Sequence, residues 1–341
     1  MQMTQRLDVT QIPIIDIGVL GSERQAGVIS AIRQACEQSG FFYITNHGIP
    51  QSEIDAIFSA CENFFALPQA ERDALYLVKS PNYRGYLPIG VLGANTERPR
   101  DLLESFQIGA EPGLADAQVQ AGTPLHGANL WPANLPGFRD DLLRYFAFME
   151  DLSRRLLRGF ALAADLPADG FDHWFEAPLS QMRLLHYPAQ EVFRDGMLGA
   201  RAHRDFGFFT ILLQGEVDGL EVGNEAGDWF VAPPIAGSFV VNVAEMLKLV
   251  SNGQFVSALH RVVNRSGRER YSVPFFVNPS FDAVLAPMTP FVDESHPAGF
   301  PPYHAGPETL DFYRRLWPSA AQSQSQSQSQ SQSLSQSLSE R

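Results

Sequence analysis

His203 and Asp205 stand two positions apart, and His260 follows further along the chain, so two imidazoles and one carboxylate are candidates for a shared metal ion. Donors of this kind on one face of a metal leave the opposite face open, which is what non-haem Fe(II) needs to hold a co-substrate and dioxygen together. No thiolate belongs to the set, which argues against structural zinc. In an extended strand, positions two apart share a face, so His203 and Asp205 reach one ion while Arg204 projects away. His260 opens the run His260-Arg261-Val262-Val263, which an antiparallel neighbour would bring across to the first pair. A His-X-Asp triplet alone is weak evidence, since strand histidines are more often hydrogen-bonded structure than ligands.

Arg270 and Ser272 are again two apart and therefore on one face of a strand. A guanidinium fork beside a hydroxyl makes a receptor for a carboxylate. The alternative is a surface ion pair of Arg270 with a neighbouring acid such as Glu269, of little energetic weight.

The elements that must position these groups change character along the chain. Ile12 to Ile17 reads as a short extended run, Ala26 to Gln38 as a helix, and Phe41 to Thr45 as a strand ended by the turn Asn46-His47-Gly48. A helix follows from Ser52 to Phe65, Pro68 opens another turn of helix, and Pro136 to Ala164 carries the longest helical pattern, with Leu142, Leu143, Phe146, Met149, Leu152 and Leu156 three or four apart. From Met182 the period shortens. Met182 to Tyr187, Phe208 to Leu213, Leu220 to Val222, Trp229 to Val231, Ser238 to Asn242, His260 to Asn264 and Tyr271 to Val277 read as strands punctuated by Gly and Pro, which predicts an antiparallel sandwich or barrel.

The expected fold is α+β: a double-stranded β-helix, or jelly roll, wrapped by N-terminal helices. Residues 1–120 are expected to pack as a helical and stranded region on a core spanning 121–317, with a disordered tail over 318–341. The tail is an almost pure Ser-Gln alternation from Gln322 to Ser333, with no apolar periodicity to offset the entropy of ordering.

The chain has 341 residues, 45% of them apolar and 11% aromatic, ample for a buried core. A net charge of −13 gives no broad attraction to phosphate backbones or anionic lipid, which argues against nucleic acid and membrane partners. Any anionic ligand must be drawn in by a local cation. No apolar run approaches the roughly eighteen residues of a membrane span, and Met1 to Thr10 lacks a basic segment followed by an apolar stretch, so a cytoplasmic location is expected. Cys36 and Cys61 fall in helical segments without metal-type spacing and are expected as buried thiols.

The motifs together carry a resemblance. Met182-Arg183-Leu184-Leu185-His186-Tyr187-Pro188, His203-X-Asp205, Ser251-Asn252-Gly253, Ser257-X-X-His260-Arg261-Val262-Val263-Asn264 and Arg270-Tyr271-Ser272-Val273-Pro274-Phe275-Phe276 follow one another in an order that resembles the isopenicillin N synthase-like class of Fe(II)/2-oxoglutarate-dependent dioxygenases. At the front, Ile12-Pro13-Ile14-Ile15-Asp16, Gly40-Phe41-Phe42-Tyr43-Ile44-Thr45-Asn46-His47-Gly48-Ile49 and Asn82-Tyr83-Arg84-Gly85-Tyr86 look like that family's N-terminal region, so the resemblance covers Ile12 to Trp317. It implies iron on His203, Asp205 and His260, the distal carboxylate of 2-oxoglutarate on Arg270 and Ser272, and a hydroxyl from Tyr187 near the co-substrate. A tyrosine before proline also serves as core. Two departures stand out: Arg204 where the family commonly has a smaller residue, and Asn242-Val243-Ala244-Glu245 in place of Asn-Ile-Gly-Asp.

Phe206, Phe208 and Phe276 lie close in sequence to these groups, and Arg84, Tyr86, Leu103 and Phe106 come from the segments that the resemblance brings to the pocket mouth. All seven are candidates for the substrate pocket, with core packing as the alternative. His47 and His186 read as hydrogen-bonded structural histidines, and His126, His173, His296 and His304 as loop residues. The resemblance implies oxidation of a C–H bond in a small molecule, by hydroxylation, desaturation or cyclisation, with 2-oxoglutarate and dioxygen converted to succinate and carbon dioxide, and ascorbate as a reductant. Two rivals remain at this point: an oxidase of the same fold that dispenses with 2-oxoglutarate, and a non-catalytic metal or ligand binder.

Overall fold

The computed structural model of the chain describes residues 12–91, 101–190 and 198–317. The Ser-Gln tail expected to be disordered lies outside the described residues. In chain order the strands are β1 (Ile14–Asp16), β2 (Phe41–Thr45), β3 (Gly85–Leu87), β4 (Glu104–Gly109), β5 (Gln181–Tyr187), β6 (Ala200–His203), β7 (Phe209–Gln214), β8 (Leu220–Gly223), β9 (Trp229–Val231), β10 (Phe239–Val243), β11 (His260–Val262), β12 (Arg270–Val277), β13 (Val284–Leu285) and β14 (Tyr303–His304). The helices are α1 (Ala26–Gln38), α2 (Gln51–Phe65), α3 (Gln69–Ala74), α4 (Ala117–Gln120), α5 (Phe138–Ala163), α6 (Glu245–Val250) and α7 (Ala305–Leu316).

Eight strands form one sheet in the order β1-β2-β10-β7-β12-β5-β4-β3, and four form a second in the order β6-β11-β8-β9. Only the β1–β2 pair is parallel. Side chains of both sheets line one cavity of about 460 Å³, so the sheets close on each other as the expected jelly roll.

The two-residue alternation of β12 explains the layering. Val273, Phe275 and Val277 join the main apolar cluster, while Arg270, Ser272, Pro274 and Phe276 line the cavity. Helix α5 covers the apolar side. Its Phe146 packs edge-on against Phe275 at 4.9 Å, and its Phe160 meets Phe209 at 4.9 Å and Phe42 at 6.2 Å. Burying each such ring contributes about 1.5–3 kcal/mol. The helices α1 and α2 add Val28, Ile32, Ile54 and Ile57 to the same cluster.

Boundaries differ from the sequence expectation for local reasons. Helix α5 starts at Phe138 rather than Pro136 because Gly137 takes φ 80° just before it. Strands β3 and β4 and helix α7 were not anticipated. In β4 every residue is buried, including Glu104, Ser105 and Gln107, so no apolar alternation marks it. Among the described residues, no helix is long and apolar enough to cross a membrane. Cys36 and Cys61 are both free and buried.

Glu104 anchors the β3–β4 edge to the rest. It pairs with Arg72, accepts a hydrogen bond from the Tyr86 hydroxyl at 2.5 Å, and accepts one from His186 Nδ1 at 2.8 Å. Burial pushes this carboxyl up, but the bonds from His186 and Tyr86 and the charge of Arg72 outweigh that and hold it below its ordinary value. Glu104→Ala leaves a half-buried cation and two donors without their common acceptor. We predict a loss of about 3–5 kcal/mol of stability, read from urea denaturation; an unchanged midpoint would remove the network from the account.

Candidate active site

His203 ends β6 and His260 opens β11, and the antiparallel register sets the two residues directly opposite each other, with ring centroids 4.3 Å apart. Asp205 lies two residues past the end of β6, so strand phasing does not bring it to His203 as the sequence suggested. Its place is set by the other sheet. The Asp205 carbonyl accepts from Glu245 N at 3.0 Å, and its Oδ2 accepts from Thr210 Oγ1 at 2.6 Å on β7 and from Asn242 Nδ2 at 2.8 Å on β10. This leaves Oδ1 pointing between the imidazoles, 3.6 Å from Nε2 of His203 and 3.6 Å from Nε2 of His260.

The imidazoles are oriented from behind. His203 Nδ1 lies 2.7 Å from the Arg201 carbonyl and His260 Nδ1 lies 3.3 Å from the Ala258 carbonyl, so each Nδ1 carries the proton and each Nε2 offers a lone pair. Burial pulls the His260 pKa to about 4, which keeps its ring neutral. Burial works to raise Asp205, but the two histidines and the bonds from Thr210 and Asn242 hold it below its ordinary value and charged. Two neutral nitrogens and one anionic oxygen within 4.8 Å of one another suit a divalent cation, and among the described residues no other His, Cys, Asp or Glu trio gathers this way.

At the start of β12 lies a buried cation. Arg270 is only 1% exposed and has no acidic partner among the described residues, so the surface pair with Glu269 is not formed. It donates from Nη1 to Ser272 Oγ at 3.2 Å and from Nη2 to Gln214 Oε1 at 3.2 Å, and it lies 4.8 Å from the centre of the Tyr187 ring. Its Nε is buried without a partner. Burial raises the Tyr187 pKa above its ordinary value against the lowering pull of Arg270 and Ser272 beside it. Burial lowers the Arg270 pKa against the offsetting pull of Tyr187. Two glycines make the room: a Cβ on Gly219, at φ 153°, would stand 3.2 Å from Arg270 Nε, and one on Gly199 would stand 2.7 Å from Tyr187 Cδ1. An uncompensated buried charge is costly, so the geometry suits a ligand that brings the anion.

Of the seven pocket candidates, Leu103, Phe206 and Phe276 line the cavity. The other four do not. Phe208 packs among Phe171, Trp174 and Phe175, because its residue precedes β7 and its N–H bonds the Val277 carbonyl. Tyr86 and Phe106 pack on Phe64 at 6.1 and 4.4 Å. Arg84 fastens loops, donating to the carbonyls of Ala110, Leu125 and Gly127, and borders a separate cavity of about 190 Å³. His47 Nδ1 accepts from Ile49 N at 3.1 Å as a turn residue.

Sequence reasoning passed over Thr210, Asn242, Gln214 and Arg183, and the α7 residues Phe312 and Leu316; of these Gln214 joins the Arg270 group and the others line the cavity wall. A signal existed for two of them: Thr210 and Asn242 are lone polar residues in the apolar strands Phe-Thr-Ile-Leu-Leu and Phe-Val-Val-Asn-Val. The two departures from the family pattern also meet, since Arg204 Nε stands 3.8 Å from Glu245 Oε1. Both side chains are 41% exposed, so the pair carries little energy.

A trio of this geometry in a jelly roll, with a buried cation in the same cavity, suits a mononuclear site of the non-haem iron type. Residues 12–134 match the family model described as the N-terminal region of the non-haem dioxygenase in morphine synthesis, and residues 178–279 match that of the 2OG-Fe(II) oxygenase superfamily. A 2-oxoglutarate-dependent dioxygenase of Didymella fabae is 38% identical over 268 residues, covering 76% of this chain and 81% of that protein. A homoarginine-6-hydroxylase of Oryza sativa subsp. japonica is 35% identical over 298 residues, covering 82% and 89%. A full-length Neurospora crassa protein, solved as a crystal structure in complex with alpha-KG, superposes with a TM-score of 0.78 at 28% identity, covering 88% of this chain and 94% of that one. The chain belongs to the 2OG-Fe(II) oxygenase superfamily. It is an oxidoreductase, a 2-oxoglutarate-dependent dioxygenase whose cofactors are Fe(II) and 2-oxoglutarate, and neither an oxidase that dispenses with 2-oxoglutarate nor a non-catalytic binder is supported.

Removing a group that holds the carboxylate from behind frees Oδ2 to rotate. Asn242→Ala is predicted to weaken divalent metal binding by about 10–100-fold in a titration followed by calorimetry, and equal affinity in the variant would exclude this role.

Proposed function

We propose that His203, Asp205 and His260 hold the Fe(II), and that Arg270, Ser272 and Tyr187 hold the distal carboxylate of 2-oxoglutarate. The observation that carries this reading is the convergence of three donor atoms, each oriented from behind, in one cavity with a buried guanidinium whose Nε lacks a partner.

Within this reading the protein binds, orients and excludes water. The Arg270 fork and the Ser272 and Tyr187 hydroxyls face an anion in a dry setting, where such bonds are about twice as strong as neutral ones. The Thr210 and Asn242 bonds keep the Asp205 carboxylate from turning, and the Arg201 and Ala258 carbonyls keep each imidazole Nε2 toward the ion. When bound, Fe(II) with 2-oxoglutarate and dioxygen supplies the oxidising power that releases succinate and carbon dioxide and removes hydrogen from a substrate C–H bond.

The substrate is a small molecule of natural-product or amino-acid type, and hydroxylation is the outcome to assay first, ahead of desaturation and cyclisation. The homoarginine-6-hydroxylases of Oryza sativa and Glycine max, at 35% and 33% identity, support that order. Leu103, Phe206 and Phe276 form part of its wall. Ascorbate serves as a reductant, and the enzyme works in the cytoplasm, where buried thiols such as Cys36 and Cys61 stay reduced. Residues 1–120 and 121–317 act as one catalytic unit, a reading supported by the hydrogen bonding of β2 to β10 and of β4 to β5.

His260→Ala should abolish Fe(II) binding while the far-ultraviolet circular dichroism stays that of the wild type; retained iron-dependent 2-oxoglutarate turnover would overturn the ligand assignment. Arg270→Lys keeps the charge but loses the fork. Its dissociation constant for 2-oxoglutarate should rise by about tenfold or more, and an unaltered value would take Arg270 out of the co-substrate site.

A further inference from the structure

Arg183 is a second cation on the cavity wall, and the co-substrate reading leaves it unused. It sits on β5 with Gln181, Leu185 and Tyr187, the cavity-facing phase of that strand. Its one side-chain hydrogen bond among the described residues runs from Nε to Gln107 Oε1 at 2.5 Å. No acidic side chain pairs with it there, and its two terminal nitrogens have no hydrogen-bond partner there. The guanidinium carbon lies 5.0 Å from the centre of the Phe276 ring and 5.6 Å from that of Trp317, so aromatic faces fix the plane of the fork.

Arg183 and Tyr187 are four residues apart on one strand, which places their Cα atoms about 13 Å from each other. Tyr187 already belongs to the Arg270 group. A five-carbon diacid with one end on Arg270 and the other on the metal therefore leaves the Arg183 fork for a different anion. The protein carries a net charge of −13, so long-range attraction does not bring an acid here, and a local guanidinium in an enclosed aromatic setting must do it.

We propose that Arg183 is a specificity-determining residue that binds a carboxylate of the primary substrate, whose apolar body lies along Phe276 and Leu103. The enzyme thus acts on a small apolar carboxylic acid, held by its anion at one point so that a C–H bond of the body is presented to the metal. The inference rests on the assignment of 2-oxoglutarate to Arg270.

The test uses the enzyme loaded with Fe(II) and 2-oxoglutarate without oxygen, and a panel of aromatic and branched aliphatic monocarboxylic acids, each matched with its primary amide. Dissociation constants are measured by calorimetry. At least one acid should bind about tenfold or more tighter than its amide. Arg183→Gln should bring that acid to the level of the amide, and Arg183→Lys should fall between the two, because it keeps charge without the planar fork. If no acid exceeds its amide, or if the preference survives in Arg183→Gln, the proposal fails. The 2-oxoglutarate affinity of each protein separates the two readings. Wild-type affinity in Arg183→Gln and its loss in Arg270→Gln uphold the co-substrate site whichever way the acids behave, and also show that Arg183→Gln is folded. Loss of 2-oxoglutarate in Arg183→Gln alone overturns both.

Discussion

Asp205 stands outside any strand, so its side chain takes its position from the groups that touch Oδ2, and those groups come from β7 and β10 of the large sheet. The histidines it must meet come from β6 and β11 of the small sheet. The distance of 3.6 Å from Oδ1 to each Nε2 is therefore a distance between two sheets, and it holds only while both keep their mutual position. The apolar layer that α5 builds behind β2, β7 and β12 maintains the large sheet. Packing at the back of one sheet thus acts on the geometry of the His203, Asp205 and His260 trio at the front, through a carboxylate whose Oδ2 is held and whose Oδ1 faces the two imidazoles.

The cavity is electrostatically opposed to the protein around it. The chain is acidic overall, but the cavity wall carries Arg270 and Arg183, which burial penalises as charged groups. Tyr187 beneath Arg270, and Phe276 and Trp317 around Arg183, lessen that penalty without neutralising the charge. A carboxylate partner from the protein would neutralise it and close the site. Aromatic faces instead keep each fork oriented while leaving its charge in place.

The candidate site residues were the most legible part of the sequence, because ligand type and order along the chain do not depend on where a strand ends. His203, Asp205, His260, Arg270, Ser272 and Tyr187 could all be named in this way, and the structure brings them into one cavity. The reason given for Asp205 was wrong, since it lies beyond β6. Pocket residues were less legible. Arg84, Tyr86 and Phe106 were misplaced because β3 and β4 form a buried edge of the large sheet, and the polar residues Glu104, Ser105 and Gln107 on buried positions of β4 hide the two-residue period. Phe208 and Phe206 are both aromatic and two apart, yet only Phe206 reaches the cavity, because Gly207 and the turn into β7 break the alternation between them. Arg183 was visible within a quoted motif, and its meaning depended on phase: it shares with Tyr187 the face that looks inward.

The cavity wall divides by the kind of element that supplies it. At the Arg270 end, the contacts come from β5, β7 and β12, whose ladder pairs Arg270 with Tyr187 and Ser272 with both Leu185 and Gln214. At the Arg183 end, Phe312 and Leu316 of α7 join the wall while Trp317 packs against Arg183, and Phe206 stacks on Phe312 at 4.5 Å with the rings 10° from parallel. Residues in the middle of a sheet cannot move without breaking ladder hydrogen bonds, whereas a helix resting on aromatic contacts can be resized one side chain at a time. Substitutions in α7 therefore alter the shape presented to a substrate body while the metal trio and the Arg270 group keep their geometry. The fold thus holds one part of the cavity by ladder hydrogen bonds and the other by side-chain packing alone.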